Sequence, residues 1–381
     1  MKKDWTYKKL GEVCDFEGGS QPPKSEWINS PKEGYVRMLQ IRDFTKSREA
    51  EIEYVKLSKK LRLCKSDDIL IGRYGASVGK ILTGLEGAYN VAIIKSIPDE
   101  GQILKRYIRR YFESCSFQQL LQKVCVVRTA QAGFAKDDIK DTLIPLPPLS
   151  EQSWIVSRLD AAFGEIEGLK AKAEAQLREA RTLFQAALTQ EMKPKQGWEE
   201  KKIVDVAEYR GGTAHESVIA DDGCYVVINS KFVSTEGRIK KYSNIQLSPL
   251  YKDDIVMVLS DVPRGKTLAK CYIVECNGLY TLNQRICAFK SKGIHIKFLY
   301  YMLNRNPHLL SYDNGENQTN LRTKNVTECP VYYPKDYSTQ QQIVSRLDAL
   351  SEKVRELEEA QKKVIAECDA LKQALLREVF E

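Results

Sequence analysis

The sequence predicts an α+β fold built twice: two duplicated α/β domains, each followed by a long coiled-coil helix. Two observations carry that reading. The heptapeptide IVSRLDA stands at Ile155–Ala161 and again at Ile343–Ala349. Each copy opens a stretch of about 40 residues in which apolar side chains recur at alternating four- and three-residue steps. An identity of this length in the same heptad register, so far apart, marks a duplicated module of nearly half the chain. The expected order is a domain at 1–149, a helix at 150–193, a second domain at 194–337 and a second helix at 338–381.

The first domain begins DWTYKKLGEVCDFEGGS and the second GWEEKKIVDVAEYRGGT. Trp5 matches Trp198, Lys8-Lys9 match Lys201-Lys202, and Gly18-Gly19-Ser20 match Gly211-Gly212-Thr213. Domain and helix were therefore duplicated together. Short β-like runs follow in each: Tyr35–Ile41 and Cys224–Ile228, Asp68–Ile71 and Asp254–Leu259, Ala88–Lys95 and Gln284–Lys290. Gly and Asp/Asn punctuate them. Helices are expected near Leu104–Gln122 and Ile296–Leu310. The middle loops diverge: KSREAEIEYVKL against STEGRIKKYSNIQL, and GRYGASVGKIL against LSDVPRGKTLA. One scaffold with two loop sets suits two readers of different targets.

The first long helix follows PLPPL, with Ser150 as its expected N-cap. Its seam reads Ile155, Leu159, Ala162, Ile166, Leu169, Ala173, Gln176, Ala180, Leu183, Ala187 and Gln190. Lys193-Pro194 and Gln196-Gly197 end it. The second seam reads Ile343, Leu347, Leu350, Val354, Leu357, Gln361, Val364, Cys368, Leu371 and Leu375. At 1.5 Å per residue each helix is roughly 60 Å long. Neither can bury its stripe alone, and the economical partner for one is the other; a long core helix of a larger bundle is the alternative. Gly164 and Gly168 lie off the seam at roughly 1 kcal/mol each against Ala. They mark either close approach of another chain or simple tolerance.

Composition narrows the function. No apolar run is long enough to span a membrane, and no signal peptide follows Met1-Lys2-Lys3, so a cytoplasmic chain is expected. Ten cysteines without a CxxC pair and three scattered histidines do not suit a zinc site. Residues 1–150 hold 26 Lys/Arg against 19 Asp/Glu, and residues 194–337 hold 20 against 16, while the helical stretches are net negative. Basic globular parts are the footprint of an anionic partner such as DNA.

Catalytic signatures are missing. SDVPRGKT at Ser260–Thr267 approaches a phosphate-binding loop, but Ser260 replaces the first glycine and Pro263 removes an N–H. The other readings are a Gly-rich β-loop with a phosphate-contacting lysine (Lys80, Lys266) and a plain tight turn. No [ND]-P-P-[YF] loop or S-adenosylmethionine loop is present, nor a carboxylate–lysine nuclease cluster, so no cofactor or metal is expected. Polar, basic and aromatic residues crowd the loops instead. In the first domain these are Arg37, Gln40, Arg42, Arg73, Tyr74, Lys80, Arg128 and Gln131. In the second they are Asn229, Lys231, Arg264, Lys266, Gln284, Arg285, Asn317, Gln318 and Arg322. Arg can grip guanine edges, Asn and Gln adenine edges, and Lys phosphates.

The duplicated order, the PLPPLSEQ lead into IVSRLD, the second QQQIVSRLD start and the GRYGASVGK loop resemble the specificity subunits of type I restriction–modification systems. The resemblance covers essentially the whole chain. It implies two target-recognition domains held apart by two antiparallel helices in a pseudo-two-fold arrangement. Each domain would read one half of a split double-stranded DNA site across an unread spacer. The helices would dock two methyltransferase (modification) subunits, which carry S-adenosylmethionine, and restriction subunits would join that core. The chain would supply address, not chemistry, with no cofactor of its own. The rival readings are a non-DNA coiled-coil interaction scaffold and a degenerate P-loop ATPase.

Overall fold

A computed structural model describes residues 5–45, 51–127, 133–263 and 265–381. The chain forms two compact units: Met1–Ala175 with Gln361–Glu381, and Gln176–Ala360. The central helix, Leu149–Met192, and the C-terminal helix, Tyr337–Phe380, each run 44 residues and contribute to both.

Each unit is built on a four-stranded antiparallel sheet. In the first its order is Cys14–Gly18, Ile93–Pro98, Ile69–Gly72, Ile81–Leu82. In the second it is Ala207–Gly211, Ile286–Ser291, Ile255–Val258, Cys271–Ile273. The register repeats too, since Gly18 faces Ile94 as Gly211 faces Cys287. The inner strands Ile69–Gly72 and Ile255–Val258 are buried at every position, and apart from Gly72 their residues are all apolar, as a doubly covered strand requires. A second sheet in each unit contains one parallel pair, Tyr35–Leu39 with Gly87–Tyr89 and Tyr225–Ile228 with Tyr280–Leu282.

The shared Gly-Gly-Ser/Thr motif has a steric cause. Gly19 N–H donates to Ile93 and Ser20 N–H to Tyr89; Gly212 donates to Ile286 and Thr213 to Leu282. A Cβ at Gly19 would stand 2.0 Å from the Asn90 carbonyl oxygen, and one at Gly212 would stand 2.0 Å from that of Asn283. Only glycine permits this approach.

Several expected boundaries move. Tyr35–Ile41 is strand only to Leu39, and Ile41–Thr45 turns into a helix. Ala88–Lys95 divides into Gly87–Tyr89 and Ile93–Pro98 around the Asn90 turn, while Gln284 and Arg285 fall in the turn before Ile286. Leu104–Gln122 becomes two helices, Lys105–Phe112 and Cys115–Val127. Ile296–Leu310 breaks into Ile296–Leu303 and Pro307–Leu310, because Pro307 cannot continue a helix. The central helix starts one residue before the expected cap Ser150, with the Pro148 carbonyl accepting from Gln152 N–H.

The repeated heptapeptide is where domain and helix fuse. Ile155, Val156 and Leu159 enter the first core with Phe16, Ile71, Tyr107 and Phe112, joined by Leu376 and Phe380. Ile343, Val344 and Leu347 enter the second core with Met257, Phe289, Phe298 and Leu299. The aspartate of the repeat grips the facing helix in each copy: Asp160 pairs with Arg106 and Arg110, and Asp348 pairs with Lys297 and accepts from the Tyr301 hydroxyl.

Three residues ahead of each heptapeptide lies a buried glutamine. Gln152 Oε1 accepts from Leu104 N–H at 2.8 Å, and its Nε2 donates to the Gln102 and Pro147 carbonyls. Gln340 repeats the device, accepting from His295 N–H and donating to the Pro334 carbonyl, both at 2.8 Å. Leu104 and His295 are the N-caps of Lys105–Phe112 and Ile296–Leu303. One amide therefore satisfies an orphan donor of a helix start and a carbonyl at the entry to the long helix.

The helix pairs are antiparallel, as the ion pairs show. In the first unit Glu167 meets Lys372 and Lys170 meets Asp369; in the second Arg181 meets Glu358 and Glu191 meets Arg346. The buried stripe differs from the expected seam at alternate positions. Leu169 and Leu183 are 54% and 59% exposed, whereas Ala173 and Ala180 are buried. Leu357, Val364 and Leu371 are exposed likewise, and Cys368 is buried. The stripe passes one residue later, through Lys170 and Leu177 and through Glu358 and Ile365. A Cβ at Gly164 or Gly168 would meet nothing within 4 Å.

Replacing Gln152 or Gln340 by Ala strands buried polar groups and is expected to cost about 1–3 kcal/mol. Thermal or guanidinium unfolding of the full chain checks this, and an unchanged midpoint would refute the anchoring role.

Candidate nucleic-acid interface

In both units the loop-bearing strand ends are stitched together by the same backbone bonds. Asn90 N–H donates to Leu39 and Arg73 N–H to Ala92; Asn283 N–H donates to Ile228 and Leu259 N–H to Arg285. The strand-to-helix junction, the Asn turn and the Gly-rich loop therefore lie at one sheet end.

At the junction of the first unit, Glu53 is only 7% exposed. It accepts from Gln40 Nε2 at 2.7 Å and pairs with Lys24 and Arg42. Burial pushes its carboxyl up, but the Lys24, Gln40 and Arg42 donors outweigh that and hold it below the usual carboxylate range. Arg42 remains 43% exposed at its side chain. Arg37 is held by buried Asp43, which also accepts from Gln40 N–H.

Arg73, Tyr74 and Lys80 belong to the Gly-rich loop. Arg73 Nε donates to the Phe134 carbonyl, and its guanidinium lies 5.2 Å from the Tyr74 ring centre. Tyr74 is exposed and bridges Gly133. Lys80 is exposed. Arg128, Gln131 and Arg264 lie outside the described residues.

The second unit places Asn229 where the first has Gln40, but its side chain caps the helix Ser230–Ser234 by accepting from Phe232 N–H. Lys231 is exposed. Gln284 donates to Glu216, and Arg285 lines an open cleft of about 310 Å³ with Glu216, Ile219, Val227, Asn229, Lys241 and Asn283. Gln318 donates to the Ser260 hydroxyl, tying its loop to the SDVPRGKT segment. Lys266, Asn317 and Arg322 are exposed nearby in the fold, on the paired stretches Ser260–Asp261 and Thr319–Asn320 or beside them. The structure thus gathers the described candidates into a junction group and a loop group in each unit. Lys24, Glu53, Glu216 and Lys241 complete the junction groups and were not among the sequence candidates.

In SDVPRGKT three loop amides are already taken. The Asp261 carboxylate already accepts from the N–H groups of Val262, Thr267 and Leu268, at 2.8, 2.6 and 3.1 Å. The loop supplies its own anion to these amides, while the Lys266 side chain stays exposed. A Cβ at Gly265 would stand 2.1 Å from that carboxylate. Burial raises the Asp261 carboxyl, but the Thr267 side chain and these N–H groups outweigh it and hold it low. Among the described residues no group of three or more His, Cys, Asp or Glu is placed to hold a metal ion, and no helix is long and apolar enough to cross a membrane.

Two domains of one topology, carrying different polar loop sets on paired long helices, define a tandem recognition protein. The family model of the type I restriction modification DNA specificity domain matches the chain twice, over residues 2–178 and 195–367. The chain belongs to that family and carries its domain in duplicate. It is similar to the type I restriction enzyme MjaVIII specificity subunit of Methanocaldococcus jannaschii, 23% identical over 332 residues, 80% of this chain and 75% of that one. The EcoKI specificity subunit of Escherichia coli K12 is 26% identical over 170 residues, 42% of this chain and 34% of that one. A solved structure from work on complex assembly and conformational transition of the type I R-M system superposes on all of this chain and 98% of that one, with TM-score 0.76 at 16% identity.

Asp261→Ala is expected to cost about 1–3 kcal/mol at neutral pH by stranding three donors. Because the folded carboxyl is held low, this contribution is complete above the ordinary aspartate range, about 3.9, and is lost as pH falls through the lower folded value. Urea unfolding of wild type and variant should therefore differ at pH 7 and converge on acidification; a pH-independent gap would refute the charge-based account.

Proposed function

We propose that this chain gives a type I restriction–modification complex its DNA address. Residues 1–149 and 194–337 each read one half of a split double-stranded site, through the loop and junction groups described above. The observation that carries this reading is one strand order and register repeated beneath loops that do not match. A fixed frame with variable polar ends suits recognition of two sequences in one manner. Arg73, Tyr74 and Lys80, with Arg128 and Gln131, serve the first half-site. Lys266, Asn317, Gln318 and Arg322, with Arg264, serve the second. Exposed lysines supply phosphate contacts, so binding should weaken steeply with salt.

The helices act as ruler and dock. In an antiparallel pair, residues one step before alternate seam positions share one flank. That flank carries Leu169, Val364 and Leu371 in the first unit and Leu183 and Leu357 in the second, all exposed. The ion pairs named above seal the helix contact elsewhere. Covering such side chains is worth roughly 1.5–3 kcal/mol apiece, and helices of methyltransferase subunits fit the row. Chemistry, on this reading, resides in those subunits and in restriction subunits that join them; this chain is a non-catalytic, cytoplasmic component.

Methylated adenines are to be mapped in random duplex DNA after mixing the chain with its modification subunit. A split motif with a fixed unread gap is expected. Exchanging residues 1–149 for those of another family member should change one half only; a change in both halves would refute the division of labour. Adding one heptad to both helices, about 10 Å, should widen the gap by about three base pairs. Leu169→Lys with Leu371→Lys should abolish assembly with the modification subunit while leaving the unfolding midpoint within about 0.5 kcal/mol; normal assembly would remove the row as the dock.

A further inference from the structure

The two junction groups occupy equivalent positions with their charges exchanged. Met38 N–H donates to the Glu53 carbonyl at 2.8 Å, and Val227 N–H donates to the Lys241 carbonyl at 2.8 Å. Met38 and Val227 occupy the same place in their parallel pairs, one residue before the end of each strand. The residue that follows Glu53 is Tyr54 and the one that follows Lys241 is Tyr242, each opening the partner strand. Glu53 and Lys241 are therefore the same position in the two domains. The second member of each group opens the short 3-10 turn after the glycine pair. It is Lys24 in the first domain and Glu216 in the second. A Lys–Glu arrangement in one domain is thus a Glu–Lys arrangement in the other.

The exchange alters what each junction presents. In the first domain the acid is buried and saturated, so Glu53 presents nothing itself; it holds Arg42 and Lys24, whose side chains remain 43% and 66% exposed. What faces outward is a fixed pair of donors. In the second domain Lys241 is exposed, Arg285 beside it is exposed too, and Glu216 stands at the cleft as an exposed acceptor already touched by Gln284. Donor and acceptor are both on offer. Arg and Lys suit the O6 and N7 acceptors of guanine, whereas a carboxylate accepts from the cytosine amino group.

We infer, on the half-site reading above, that these junctions are the base-discriminating sites, and that the exchanged pair makes the two domains accept different bases. Arg42 reads the first half-site, with Glu53 as its positioning residue; Lys241, Arg285 and Glu216 read the second.

The test uses the full chain assembled with its modification subunits, reading the methylation motif from random duplex DNA. Lys241→Gln and Arg285→Gln alter exposed side chains and should leave unfolding unchanged. Each should relax discrimination at a position of one half-site by roughly ten-fold or more, with the other half-site intact. Arg42→Gln should do the same to the opposite half. Glu53→Gln should relax that same position as Arg42→Gln does, whereas a merely structural role would lower stability with the motif unchanged. Uniformly weaker methylation with an unchanged motif and a shallower salt dependence would make these residues phosphate contacts and overturn the inference. An unchanged motif at unchanged rate would place the junctions outside the interface. A wild-type complex that modifies no split motif would instead remove the half-site reading itself.

Discussion

Everything in each unit hangs on one buried side-chain amide. Gln152 and Gln340 lie in the first turn of a 44-residue helix and close the start of a domain helix as well. An unpaired amide at such depth would be costly, so the bonds hold only if helix, prolyl entry and domain helix are all in place. The aspartate two turns on repeats the grip from the outside, through Asp160 and Asp348. The helix is thereby aimed by the domain it leaves. Loops that read a target need that constraint, since a reader on a loosely joined rod has no fixed register.

Much of this frame is visible in the sequence because it is periodic or repeated. IVSRLDA announces both junctions, and the glutamine three residues ahead of each copy was there to be found by aligning SEQSW with TQQQ. The four–three rhythm gives both helices their length. It does not give the seam, because Leu169 and Lys170 offer two stripes that differ by one residue, and hydrophobicity prefers the leucine. The pair selects the other, since lysine can lay its stem along the contact and reach Asp369. The helix break at Glu113 and the turn at Asn90 escape periodicity altogether, the first set by a cap and the second by the close approach of Gly19.

The candidate residues show where sequence reading of a site stops. Polar type picks out Gln40 and Arg42, yet not the acid that holds them. Glu53 stands in a segment whose counterpart shares little more than a tyrosine, and only strand pairing equates it with Lys241. Arg37 and Asn229 match a reader's chemistry, but Arg37 Nη2 is held by buried Asp43 and Asn229 Oδ1 caps a helix start. The SDVPRGKT segment is the same lesson reversed: a phosphate-like signature whose amides are filled by the chain's own carboxylate.

The exposed leucines on the helix flank carry a further consequence. Leu169 stands to the first heptapeptide as Leu357 stands to the second, and Leu183 corresponds likewise to Leu371. Leucines facing outward in one repeat are therefore duplicated in the other, each time shared between the two helices. Under the proposed docking, stoichiometry is inherited from gene duplication: one kind of partner, taken twice, satisfies a row that a single copy would leave half bare.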